Sequence, residues 1–150
     1  MDYSNKLIVF LKIIIVIIIF FGLWNSLIIG ASWDEPFHAT NGIRRLRYLI
    51  YFGEYQNYQY ANNQFYPGLY DTFSSSISHI IYKFFPSFHG NYFFNIKHFI
   101  NFIFATISIY GLYSFIKLFT KNELLALLSS LLTILNPFFF GPMGINPKDT

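Results

Sequence analysis

The chain has 150 residues, of which 54% are hydrophobic, 23% aromatic and only 11% charged. A soluble domain carries about a quarter charged residues, so this balance points to a membrane protein. A net charge of +3 without a dominant basic run gives no case for nucleic acid, and the lack of cysteine excludes disulfides and thiolate metal sites.

Leu7 to Ile29 is almost wholly apolar, interrupted by Lys12 and, near its end, by Asn25 and Ser26. About 20 apolar residues cross the hydrocarbon of a bilayer, so the stretch predicts a transmembrane helix. A cleaved secretory signal is the rival reading. Its apolar core would run to ~7–15 residues before small side chains, whereas this run is longer and carries Trp24 and Asn25 near its end. Lys12 can snorkel to the near interface, which marks the N-terminal end as cytosolic.

Trp33-Asp34-Glu35-Pro36-Phe37-His38 follows at once. A carboxylate at the bilayer centre costs roughly 2.5–3.5 kcal/mol, so both acids are expected at the membrane–water boundary. Asp34 as a helix cap, with Pro36 in the first turn, would account for one acid and leave Glu35 and His38 unassigned. From Pro36 to Phe52 the pattern is helical, with Ala39, Ile43, Leu46 and Ile50 on one stripe and Gly53 as terminator. Arg44, Arg45 and Arg47 fall elsewhere, the pattern of an amphipathic helix lying in the interface plane. These arginines can meet lipid phosphates in general or one substrate phosphate in particular.

Glu54 to Gln64 reads as loop and Tyr66-Pro67-Gly68 as a turn. Leu69 to Phe85 is helix-like, with Leu69, Phe73, Ile77, Ile80, Ile81 and Phe84 on one side. Asp71, the serines, His79 and Lys83 make it too polar and too short to span, so a second interfacial helix is expected, stopped by Pro86. Ile96 to Phe119 predicts a second span, with Asn101 its one strongly polar interior residue. Thr120 to Glu123 is a tight connection, and Leu124 to Phe140 predicts a third span punctuated by Pro137, Pro142 and Pro147.

The expected fold is therefore an all-α membrane protein. It has three transmembrane helices, about 7–29, 96–119 and 124–140, and two interfacial amphipathic helices in an outer loop at 30–95. The charged end at Asn146-Pro147-Lys148-Asp149-Thr150 has no closing element, so the chain reads as the N-terminal part of a larger multi-pass protein. With a cytosolic N-terminus, Asp34, Glu35, Lys148 and Asp149 share the non-cytosolic side and Lys121 lies opposite. Arg44, Arg45, Arg47 and Lys83 in the outer loop run against the positive-inside rule, which is weak for loops of about 60 residues or more.

Two acids, a histidine and nearby cations at a membrane face suit transfer of a group from a lipid-linked phosphate. A carboxylate can take the proton of an acceptor hydroxyl as general base. The leaving phosphate needs arginine, lysine or a divalent cation to take up its charge. Lys148, Arg44 and Arg45 are the candidates for that phosphate. Adjacent acids repel one another, so Glu35 with His38 are candidate ligands for a divalent metal such as Mg or Mn.

An acidic pair just after the first span, Asp34-Glu35, is followed by His38 two residues beyond Pro36. An interfacial helix, a Tyr66-Pro67-Gly68-Leu69 turn, a second interfacial helix and a close pair of spans ending in Asn146-Pro147-Lys148-Asp149 come after it. This order resembles the lipid-phosphate-sugar-dependent protein mannosyltransferases and their bacterial relatives, integral-membrane glycosyltransferases with a C-type fold, over nearly the whole chain. The resemblance implies that Asp34 is the general base or its immediate partner and that Glu35 and His38 shape the site or bind metal. It implies that Lys148 and Asp149, a further catalytic acid, reach the same site from the second outer loop. The implied reaction moves a mannose-like sugar from a polyprenyl or dolichyl phosphate carrier to a hydroxyl of a protein, lipid or glycan. It would run on the non-cytosolic face of a bacterial inner membrane or the endoplasmic reticulum. Family members carry His-Pro-Pro or Lys-Pro-Pro at the turn, where this chain has Tyr66-Pro67-Gly68. Much of the family's lipid-phosphate pocket comes from later spans, so these 150 residues are expected to be inactive alone.

The rival class is a multi-pass transporter or flippase-like protein. Transporters place ionisable groups within spans near the midplane, whereas here the charge lies at the edges. A membrane anchor without a site is the third reading, disfavoured by the paired interfacial helices.

Overall fold

A computed structural model of the chain describes residues 3–32, 35–53, 68–86 and 92–145. Among these there are six helices and no strand: α1 (Tyr3–Ile28), α2 (Glu35–Ile50), α3 (Gly68–Phe84), α4 (Tyr92–Thr120), α5 (Glu123–Leu135) and α6 (Pro137–Ile145). They form two compact units, one of Met1–Ile29 with His98–Thr150 and one of Gly30–Lys97.

In the first unit α1 and α4 are long and apolar enough to cross a membrane, over Asn5–Ile28 and Phe94–Thr120. The first covers the expected span 7–29 up to Ile28, and the second contains the expected span 96–119. Their packed face is built on Phe102, Ala105 and Ile109 of α4, with Ile134 of α5 and Met143 of α6. Ile15, Ile18, Ile19 and Leu23 of α1 close over it at helical spacing. A Cβ at Gly22 would meet the Phe102 ring, so glycine there lets that ring lie on the α1 backbone. The remaining faces stay apolar and uncovered: Phe10, Ile17, Phe20, Phe21 and Trp24 of α1 and Phe115, Leu118 and Phe119 of α4 are all exposed. Thr106, Ser108, Ser129, Ser130 and Thr133 each donate their hydroxyl to the carbonyl four residues back. That satisfies a polar group without water.

The expected single span Leu124–Phe140 is divided in two. The bent pair Glu123–Leu135 and Pro137–Gly144 turns through 68°. The cause is local. Asn136 precedes a proline, whose ring disfavours the helical region for its neighbour, and it adopts φ −68° and ψ 118°. Pro137 then begins α6, where its missing N–H is no loss, and Asn136 Oδ1 accepts the Phe138 N–H at 3.0 Å. Near the other end of α6 the last carbonyls have no partner within the helix. Asn101 of α4 reaches them, its Nδ2 donating to Met143 O at 2.8 Å and Pro142 O at 3.1 Å. Asn101→Leu is expected to cost about 1–3 kcal/mol, because buried carbonyls lose their donor. Thermal unfolding in detergent checks this; an unchanged midpoint would remove Asn101 from that role.

The tight connection after α4 forms as expected. Lys121 takes φ 52°, and Asn122 caps α5 by accepting the Leu125 N–H at 3.1 Å. Lys12 does more than snorkel: its ammonium lies 2.7 Å from Glu123 Oε1, and Lys117 lies 3.4 Å from Oε2 of the same acid.

The second unit centres on α2 and α3. Each buries a stripe at i, i+3, i+4, i+7: Glu35, His38, Ala39 and Gly42 on α2, and Asp71, Ser74, Ser75 and Ser78 on α3. A Cβ on Gly42 would collide with the backbone carbonyl of Asp71, so the helices touch backbone to backbone there. Several large apolar side chains are left outside, together with Arg44, Arg47, His79 and Lys83. Phe37, Leu49 and Ile50 of α2 and Leu69, Phe73, Ile80 and Phe84 of α3 are all exposed. α2 ends where Gly53 was expected to stop it: Phe52 and Gly53 take φ 50° and 91°, and Gly53 N–H donates to Tyr48 O at 3.0 Å.

Candidate functional site

The polar seam between α2 and α3 is where the described chemistry gathers. Glu35, His38 and Asp71 are each less than 5% exposed, with Asn41 and three serines buried beside them. A buried ionisable group is costly unless it is paired and hydrogen-bonded. His38 Nδ1 lies 2.9 Å from Asp71 Oδ2. A carboxylate only accepts, so Nδ1 carries the hydrogen, and in the neutral ring the lone pair sits on Nε2. The Phe37 ring stands edge-on to the imidazole at 5.8 Å. Taking away one partner of such a pair typically costs on the order of 3–5 kcal/mol, since the other is stranded in the seam.

Glu35 has a local task that the sequence reading did not assign. Its Oε2 accepts the Ser32 N–H at 2.6 Å, and Ser32 O accepts the Glu35 N–H at 3.3 Å. The carboxylate thus ties the first residue of α2 to the chain three residues before it. The acid left without a task when Asp34 is read as the cap is bonded to the backbone just ahead of the helix. Tyr70 senses the charge of the seam. Burial first, then the carboxylates of Asp71 and Glu35, hold its phenol well above the ordinary tyrosine range. It stays neutral and can donate; its hydroxyl is 3.5 Å from Lys97 O.

The sequence-predicted residues separate into groups. Glu35 and His38 come together on one buried face of α2, one turn apart. Arg44 and Arg45 differ in setting: Arg44 is exposed, and Arg45 is half-buried with its guanidinium against Gly68. Asp34, Lys148 and Asp149 lie outside the described residues. No group of three or more His, Asp or Glu side chains able to hold a metal occurs among the described residues. Glu35 and His38 offer two donors, and the Glu35 carboxylate also accepts the Ser32 N–H.

Asp71 was noted in the sequence only as a polar residue that keeps α3 from spanning. The signal that would have found it is the repeat of polar and small residues at 71, 74, 75 and 78, matched by 35, 38, 39 and 42. Compared with protein-family models, curated proteins and solved structures, the chain shows no match.

Proposed function

We propose that the chain belongs to an integral-membrane glycosyltransferase that moves a mannose-like sugar from a polyprenyl or dolichyl phosphate carrier to an acceptor hydroxyl. The observation that carries this reading is the buried His38–Asp71 pair with Glu35, held in a helix pair that carries large apolar residues together with Arg44, Arg47 and Lys83 on its outside. Such a mixed outside suits the boundary between lipid and water, where polar and small residues can join helices. Acid and imidazole groups at a membrane surface are what a substrate half in lipid and half in water requires.

In this reading Asp34, next to Glu35, takes the proton of the acceptor hydroxyl as its oxygen bonds to the sugar's anomeric carbon. The bond from that carbon to the carrier phosphate breaks, and the phosphate leaves with the electron pair. Arg45, and Lys148 beside Asp149 from the later loop, stabilise its charge. The chain crosses the membrane three times, with the bent α5–α6 pair as the third passage. α2 and α3 lie along the non-cytosolic face, and Lys121 is on the opposite side.

The transporter or flippase-like reading gains one observation, the 68° break between α5 and α6. Broken helices mark substrate sites in transporters. One experiment separates the two. The full-length protein is reconstituted in sealed vesicles with a radiolabelled mannosyl polyprenyl phosphate and candidate acceptors. Label on an acceptor, with release of the carrier phosphate, is the expected result. Movement of intact donor across the vesicle without bond cleavage would replace the transferase by the transporter.

A further inference from the structure

A second feature lies in the first unit and is independent of the transferase reading. A cavity of about 410 Å³ opens between α1, α4 and α5. Ile15, Val16, Ile19, Ile109 and Leu127 wall it with hydrocarbon, and Tyr110 and Tyr113 line it further along α4. Its one charged lining residue is Lys12.

Lys12 stands beside the α4–α5 turn with Lys117, both about half exposed and both turned to Glu123. Lys121 follows in the turn itself and is exposed. Three ammonium groups against one carboxylate leave a net positive charge at the end of an apolar trough. Glu123 occupies only one of the three donors of each ammonium. Lys117 also donates to the Tyr113 hydroxyl at 3.2 Å, which ties the cationic cluster to the trough wall.

We infer that this groove is a binding site for an anionic membrane phospholipid, with one acyl chain along the α1–α4–α5 trough and the phosphate at Lys12 and Lys117. The chemistry is complementary at both ends. The aliphatic wall matches a hydrocarbon chain, and the exposed ammonium groups match a phosphate at headgroup depth. Basic pockets between transmembrane helices select anionic headgroups in this way. A zwitterionic lipid would fill the trough as well but gain little from the cluster.

The test uses the full-length protein purified in mild detergent and exchanged with equimolar phosphatidylglycerol and phosphatidylcholine, with bound lipid counted by native mass spectrometry. Phosphatidylglycerol is expected to be retained preferentially. Lys12→Gln with Lys117→Gln should reduce that preference about thirtyfold, roughly fivefold for each lysine lost. Val16→Trp fills the trough from an exposed position of α1 and should reduce retention of both lipids. Helix content by circular dichroism must be unchanged in each variant for the comparison to stand, and Val16→Leu serves if the tryptophan disturbs α1. Equal retention of the two lipids, or retention unaffected by filling the trough, would overturn the inference. So would displacement of phosphatidylglycerol by equimolar polyprenyl phosphate, which would give the groove to the sugar carrier.

Discussion

Gly42→Leu is expected to abolish the α2–α3 packing and, with it, any activity of the seam. A side chain at this position points at the backbone carbonyl of Asp71, which cannot swing away as a side chain could. Overpacking usually costs about 1–3 kcal/mol, and the smaller Gly42→Ala should already fall in that range. With roughly 2–4 °C lost per kcal/mol in a chain of this size, the alanine variant should show a clear fall in unfolding temperature in detergent. The leucine variant should lose the cooperative transition of this unit. An alanine variant with the wild-type midpoint would mean that α2 and α3 do not meet backbone to backbone. The His38–Asp71 distance depends on that contact, because the two residues lie on the same stripes as Gly42.

The second large effect separates the two adjacent acids. Under the transferase reading proposed above, Asp34→Asn in the full-length protein is expected to lower transfer by about 10²–10⁴-fold, the usual loss of a catalytic base. Glu35→Gln should stay within about tenfold of wild type, because the glutamine oxygen can accept the Ser32 N–H as the carboxylate does. Asn is itself a good helix cap, so the first substitution removes a base without removing a cap. Sugar transfer at saturating donor measures both. The reverse ranking, with Glu35→Gln the more damaging, would move the base to Glu35 and leave its bond to Ser32 as a secondary task.

Much of the helical framework was readable before any coordinates. The first span was legible as an unbroken apolar run, and the second despite Asn101, because length and hydrophobicity suffice for a helix in lipid. The stop at Gly53 and the start at Asn122 follow from the chemistry of single residues. Three things were not legible, each for a physical reason. Pro137 was placed at the exit of a straight third span. A proline kinks or starts a helix with equal ease, and only the extended Asn136 backbone decides. The bond from the Ser32 N–H to Glu35 is the second, because sequence fixes the spacing of the two residues but not the direction in which the Glu35 side chain turns. The His38–Asp71 pair joins residues 33 apart in sequence, and periodicity reports which face a residue occupies, not which face it meets. Polar stripes on both helices were visible, yet a polar stripe normally reads as the face turned to water. Here it is the face turned inward.

The transferase reading requires that inward seam to support the step in which Asp34 acts, and a double-mutant cycle between Asp34→Asn and Asp71→Asn on the full-length protein tests this most directly. Asn at position 71 keeps the size of the side chain and an oxygen able to accept from His38 Nδ1, so the hairpin should fold while the charge of the pair is lost. If both acids act on the same step, either substitution disables it, and the double variant should be little worse than the more damaging single one. Losses in transfer rate that simply multiply, with the Asp71→Asn effect tracking its loss of thermal stability, would contradict this. The seam would then be a device for holding two helices together.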